Sequence, residues 1–141
     1  MIELTKLEIK SLKTIAKIYG VKIFFKKGFN GGAFCPNYII VDSTSYTLNN
    51  IISTFFHELA HYVNFKTNKY PLYHKIHNIN KLRKIIPEYN RFIRYCLNAE
   101  LYTEKVGKKL MKEWFPTLKY KTIYKNNKES YEFLNGYYLR N

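Results

Sequence analysis

The chain is poor in cysteine and in acidic residues, and it has no long apolar run. Its two cysteines, Cys35 and Cys96, are too few for a disulfide framework. Neither stands in a C-x-x-C pair, which removes the usual cysteine-based zinc site. Aspartates and glutamates number 10 against 24 lysines and arginines. Apolar stretches such as Ile39-Ile40-Val41 fall far short of the roughly 20 residues that cross a bilayer, so no membrane partner is expected. The opening Met1-Ile2-Glu3-Leu4-Thr5-Lys6 mixes charges where a signal peptide needs an apolar core, which points to the cytoplasm. Internal repeats, low-complexity tracts and Gly/Ser-rich linkers are absent as well, so residues 1–141 are expected to form a single domain.

What is present suits a folded chain. Of its 141 residues 46% are apolar and 18% aromatic, enough for one hydrophobic core and not two. The net charge of +14 makes nucleic acid a candidate partner, because clustered lysines gain from counterion release on a polyanion. No nucleic-acid-binding motif accompanies the charge, so a solvated lysine-rich surface is the favoured reading.

Periodicity supplies the elements. Leu4, Leu7, Leu12, Ile15, Ile18 and Tyr19 lie near helical spacing over residues 3–19, and Gly20 is a natural stop. Residues 21–26 read as a strand, and 33–42 as a second extended segment after the turn at Gly28, Gly31 and Gly32. Ser43, Thr44 and Ser45 are candidate caps for a helix over 47–66 that is apolar on several faces and so belongs in the interior. After Pro71 a short basic amphipathic helix carries Ile76, Ile79, Leu82 and Ile86, and a longer one is expected over 88–113. The alternation Leu118, Tyr120, Thr122, Tyr124 suggests a strand or extended arm, Asn126-Asn127 a turn, and the aromatic tail beyond carries no clear period. The fold class is therefore α+β: an N-terminal helix, a short twisted sheet, a central helix and a second long helix.

The central helix carries His57-Glu58-Leu59-Ala60-His61. Histidines four apart lie one above the other on one helical face and can fill two of the tetrahedral positions that Zn2+ prefers. Glu58 then stands beside the metal, placed to take a proton from a water and pass it to a leaving amine. A catalytic zinc needs a third protein ligand and one open position. Asn64 and Thr67 occupy the places where a metzincin would have glycine and histidine, which excludes that class.

Two sources for the third ligand remain, Glu100 and the pair His74 and His77. Glu100 is favoured because Glu104 follows one turn later and can accept the outer N–H of a liganding imidazole, that of His57. Small residues at Ala99 and Thr103 would let this helix approach the motif helix closely. The alternative for the two glutamates is surface pairing with Lys105, Lys108 and Lys109. His74 and His77 sit on a basic segment that reads as exposed.

The motif followed by Glu100-x-x-x-Glu104 resembles the zincins with glutamate as third ligand, and is most similar to the small ImmA/IrrE-like metallopeptidases of phages and mobile elements. That resemblance covers residues 3–113 and implies a minimal zincin-like domain. It further implies zinc held by His57, His61 and Glu100, Glu58 as catalytic base, and a specific intracellular protein or peptide as substrate. For a phage-encoded chain the compartment would be the host cytoplasm. A histidine third ligand would instead resemble the SprT-like proteases of DNA repair. A further alternative is a zinc-containing binding module that works through its basic surface without catalysis.

Zincins bind extended substrate along a sheet edge, and Gly31-Gly32-Ala33-Phe34-Cys35 is the candidate edge. Tyr62, Tyr95 and Tyr102 are candidates for the donor that steadies an oxyanion.

Overall fold

The computed structural model describes residues 1–75 and 79–140. Strand β1 (Ile2–Glu3) leads into helix α1 (Lys6–Tyr19). Thr5 and Glu8 close a reciprocal capping box at its start, with Thr5 N–H on Glu8 Oε1 at 2.8 Å and Glu8 N–H on Thr5 Oγ1 at 3.2 Å. Gly20 ends the helix at φ +86°, a left-handed conformation that glycine adopts without strain. The buried face of α1 is Leu12, Ile15 and Ala16, while Leu7 and Ile18 are exposed. Those two lie eleven residues apart, so they share a face that turns away from the core.

Strands β2 (Lys22–Phe25), β3 (Gly32–Cys35) and β4 (Tyr38–Val41) form a sheet in the order β2-β4-β3. β4 is central, parallel to β2 and antiparallel to β3, so β3 is an edge strand. The single extended segment expected over 33–42 is therefore a hairpin. Pro36-Asn37 turn the chain, proline supplying the fixed φ that favours a turn. Strand β5 (Thr44–Ser45) pairs with β1, which places Thr44 and Ser45 in a ladder and leaves helix capping to Thr47, whose side chain accepts from Asn50 N–H.

Asp42 organises the glycine turn before β3. Its carboxylate accepts from the backbone N–H of Gly28, Asn30 and Thr44 and from the Thr44 hydroxyl. Burial works against this charge, but the four hydrogen bonds outweigh it and hold the carboxyl below its ordinary value.

Helix α2 (Leu48–Lys66) runs through the interior, with its residues buried on all sides between Ile51 and Tyr62 apart from Thr54. It packs against β3 and β4 on one flank and against α5 (Tyr89–Trp114) on the other. Between them lie short helices α3 (Pro71–Lys75) and α4 (Ile79–Ile85). Glu88 caps α5 by accepting from the N–H groups of Asn90 and Arg91. The small residues Ala99, Thr103 and Gly107 recur every fourth position on its buried face, which lets the two helices approach.

Two apolar clusters result. One joins α1, the sheet, α2 and the C-terminal part of α5 around Phe55, Phe56, Ile39 and Met111. The other joins α4, the N-terminal part of α5 and helix α6 (Lys128–Arg140) around Phe92, Ile93, Leu97 and Leu134. Each large side chain fully buried here contributes about 1.5–3 kcal/mol. The buried residues Ala99, Glu100, Thr103 and Glu104 of α5 lie between the two.

Residues 118–124 form no strand. They run as a strap whose polar groups meet side chains: Asn49 donates to Lys119 O, Lys121 N–H to Ser53, and the N–H groups of Ile123 and Tyr124 to Glu104. The alternation there marks which side chains turn inward, Tyr120 being buried and Thr122 exposed. Asn127 starts α6 by accepting Ser130 N–H, so the expected turn is a helix cap. No described helix is long and apolar enough to cross a membrane.

Candidate metal centre

Helix α2 presents His57 and His61 on one face, and α5 brings Glu100 against them. His57 Nε2 and His61 Nε2 lie 3.3 and 2.8 Å from the same oxygen, Glu100 Oε1. All three side chains are buried. Their ligand atoms lie within 4.8 Å of one another, an arrangement able to hold a metal ion. Glu100 and Glu104 are thus interior groups and make no surface pairs with Lys105, Lys108 or Lys109, all of which are exposed.

The outer nitrogens determine what the inner ones can do. His57 Nδ1 is 2.6 Å from Glu104 Oε1. Glu104 is also met by the Tyr120 hydroxyl at 2.7 Å and by the N–H groups of Ile123 and Tyr124, so it is an acceptor throughout. Burial opposes its charge, but the bonds from His57, Tyr120 and Tyr124 keep its carboxyl below the ordinary value. His57 therefore donates from Nδ1.

His61 Nδ1 is 2.9 Å from His74 Nε2, and His74 Nδ1 donates to Lys69 O at 2.8 Å and Tyr70 O at 3.2 Å. Burial, with His61 adding to it, lowers the His74 pKa to about 4, so this ring is neutral at pH 7. Its Nε2 accepts, and His61 too donates from Nδ1.

With both Nδ1 atoms committed, two Nε2 lone pairs face Glu100 Oε1, and that buried oxygen has no hydrogen-bond donor. The other oxygen, Oε2, takes the Tyr73 hydroxyl at 2.8 Å. Three lone pairs converging in a buried space repel unless a positive charge sits among them. A proton can serve. Burial lowers the His57 pKa, yet Glu100 and Glu104 more than reverse that and hold it well above 6.5. Burial likewise works against the Glu100 charge, and His61 and His57 overcome it. A metal ion answers the same demand with more charge and satisfies all three atoms together.

Comparison with models of known protein families, with curated proteins and with solved structures gives no match.

Glu58 is buried beside the cluster. Burial raises its pKa, with His57 and His61 pulling the other way. Its side chain packs against Gly32 of the edge strand so closely that a Cβ there would come within 2.7 Å of Glu58 Cγ and 2.9 Å of Oε2. Glycine is needed at that position because the backbone itself approaches the carboxylate.

The cluster and Glu58 line a cavity of about 670 Å³. Its lining also includes Gly31 to Phe34 at the start of β3, Ile123 and Tyr124 of the strap, and Phe133 and Tyr137 of α6.

Several side chains lie elsewhere than the sequence suggested. His74 is buried, not exposed, and stands behind His61 and outside the ligand group. Its polar neighbours in sequence conceal this, since only the fold carries the ring under α2. His77 lies outside the described residues, as does Ile76. Tyr62 bonds Gly20 O, and Tyr95 and Tyr102 pack on Tyr70, so none of the three lines the cavity; Tyr73, Tyr124, Tyr137 and Tyr138 do.

Proposed function

We propose that this protein is a zinc-dependent endopeptidase, with zinc held by His57, His61 and Glu100 and with Glu58 as general base. The observation that carries the reading is the convergence of His57 Nε2 and His61 Nε2 on one buried oxygen of Glu100, beside a second buried carboxylate, Glu58, of raised pKa. The two histidine-to-Glu100 separations, 2.8 and 3.3 Å, are near the roughly 3.3 Å edge of a tetrahedron with bonds of about 2.0 Å, and all three ligand atoms lie within 4.8 Å of one another. Two imidazoles and a carboxylate are also the donor set of a catalytic zinc, three protein ligands leaving one position open. A zinc ion there would polarise the scissile carbonyl and the attacking water.

The chain's own groups account for the proton traffic. Glu58, its pKa raised by burial, takes the proton of the water as the water oxygen bonds to the carbonyl carbon. As the C–N bond breaks, Glu58 returns that proton to the leaving nitrogen. Glu104 and Tyr73 stay fixed throughout, holding His57 and Glu100 in place. An extended peptide has a place beside β3, whose outer edge pairs with no other strand among the described residues and whose Gly32 backbone reaches Glu58. These features also support the likeness to zincins with a glutamate ligand. A zinc-containing binding module would have no use for a buried carboxylate beside the metal.

Glu58→Gln is the first test. Zinc content should stay at the wild-type level while cleavage of a peptide library falls by about 10²–10⁴-fold, the usual contribution of a general base. Equal cleavage by the two proteins would remove Glu58 from the mechanism. Glu100→Ala should lose zinc outright, and full zinc occupancy in that variant would end the proposed ligand set.

A further inference from the structure

We infer that His74 is a positioning residue for the metal centre: by accepting the Nδ1 proton of His61 it fixes the tautomer and ring plane that aim His61 Nε2 at the metal. The inference rests on the metal-centre reading and adds a residue to it.

The direction of each hydrogen bond follows from what each atom can do. Lys69 O and Tyr70 O are carbonyl oxygens and only accept, so the His74 proton sits on Nδ1. With that proton committed, Nε2 is the ring atom left to accept, 2.9 Å from His61 Nδ1. That contact exists only if His61 donates, and its own Nε2 is left as a lone pair facing Glu100 Oε1 at 2.8 Å.

The turn before α3 is shaped for this task. Asn68 and Tyr70 have φ of +60° and +46°, a region that residues with a side chain seldom adopt. With Lys69 between them, the chain bends so that two successive carbonyls converge on one nitrogen. Phe34 holds the pair from the other side, stacked on His61 at 6.0 Å and edge-on to His74 at 6.3 Å. Thr103 is the competing acceptor for His61, but its hydroxyl oxygen is 3.4 Å away and already accepts from Asn64 Nδ2 at 3.1 Å.

Charge explains why a histidine stands here when a carboxylate serves His57. The space already holds Glu58, Glu100 and Glu104. A neutral acceptor orients His61 without adding a fourth buried negative charge.

The test uses the full chain and reads metal binding, not cleavage. In the zinc-loaded wild type, long-range ¹H–¹⁵N correlations of the imidazoles should show both His61 and His74 protonated at Nδ1. Either ring with its proton on Nε2 would overturn the inference. His74→Leu, which keeps volume and loses the acceptor, should weaken zinc binding about 10–100-fold in competition with a chelator. His74→Gln, whose amide oxygen can accept, should recover most of that loss.

Wild-type affinity in His74→Leu would overturn the inference. So would a loss in His74→Gln as large as in His74→Leu while the metal-free proteins melt alike. At saturating Co2+ the visible spectrum of His74→Gln should match that of the wild type, and displaced bands would make His74 a ligand instead. A wild type that binds neither metal would overturn the metal centre itself, an outcome distinct from all of these.

Discussion

Glu104 gathers four donors: the His57 ring, the Tyr120 hydroxyl and the backbone N–H groups of Ile123 and Tyr124. Truncating it leaves buried donors unmet and frees the His57 ring to turn. Glu104→Ala should therefore weaken zinc binding about 10–100-fold and cost about 1–3 kcal/mol of folding stability. Chelator competition and denaturant unfolding read the two losses separately. Unchanged affinity would show that His57 holds its orientation without the carboxylate. Asp42 offers a residue-scale test of pH. Its folded pKa lies below the ordinary 3.8, so the group binds fewer protons folded than unfolded near that value. Its stabilisation is complete above the unfolded pKa and disappears as pH falls through the folded one. Stability of the wild type should drop across that acid interval, and Asp42→Asn should flatten the drop while lowering stability near pH 7. A wild-type and variant pair with parallel curves below pH 4 would remove Asp42 as the cause.

At the scale of elements, the close approach of α2 and α5 decides whether their ligands meet. Gly107 sits where a Cβ would come within 2.8 Å of the Tyr120 hydroxyl and 3.2 Å of Phe56 O. Tyr120 is itself tied to Glu104, so it cannot simply move aside. A larger residue gains at most about 1 kcal/mol of helix propensity over glycine, whereas overpacking a filled site costs about 1–3 kcal/mol. Overpacking wins, and Gly107→Val should lower the thermal midpoint and weaken zinc binding together, as α5 is pushed away from α2. A variant as stable as the wild type would mean that the interface has slack.

The sequence made this interface legible in part. The 57–61 spacing, the apolar surroundings of α2 and the one-turn offset of Glu100 and Glu104 are local patterns, and they point to residues that lie together. Gly32 was readable as part of a candidate edge strand, and its close packing on Glu58 was not. His74 was readable only as a candidate ligand on an exposed segment; its burial against the His61 ring, thirteen positions away, depends on a turn with two left-handed residues. Helix α6 escaped because Gly136 and a mixed aromatic pattern blur its period, and the packing of buried Leu134 and partly buried Tyr138 against α5 supplies what propensity does not.

Over the whole molecule, folding sharpens the charge imbalance of the sequence. Four of the ten acidic residues, Asp42, Glu58, Glu100 and Glu104, are buried, leaving six acidic side chains to face 24 cationic ones. Self-repulsion among those cations works against the compact state and is screened by salt, whose Debye length falls from about 10 Å at 0.1 M to 3 Å at 1 M. Raising salt from low to moderate concentration should therefore raise Tm, in contrast to a fold held mainly by exposed ion pairs. Only two such pairs occur among the described residues, Lys27 with Glu3 and Lys128 with Glu132, both exposed and long at 3.7 Å, so little is lost by screening them. Zinc at the proposed centre would act on Tm by a different route. Free zinc at 100 times its Kd would stabilise the folded chain by about 2.7 kcal/mol, roughly 10 °C for a domain of this size. A chelator should remove that increment and leave the salt response in place. Glu100→Ala should lack the zinc increment and still respond to salt, since the surface cations are untouched. If salt lowered Tm in both proteins, surface repulsion would not be the term that limits stability. If zinc raised Tm equally in both, the increment would come from a site other than the one that α2 and α5 build.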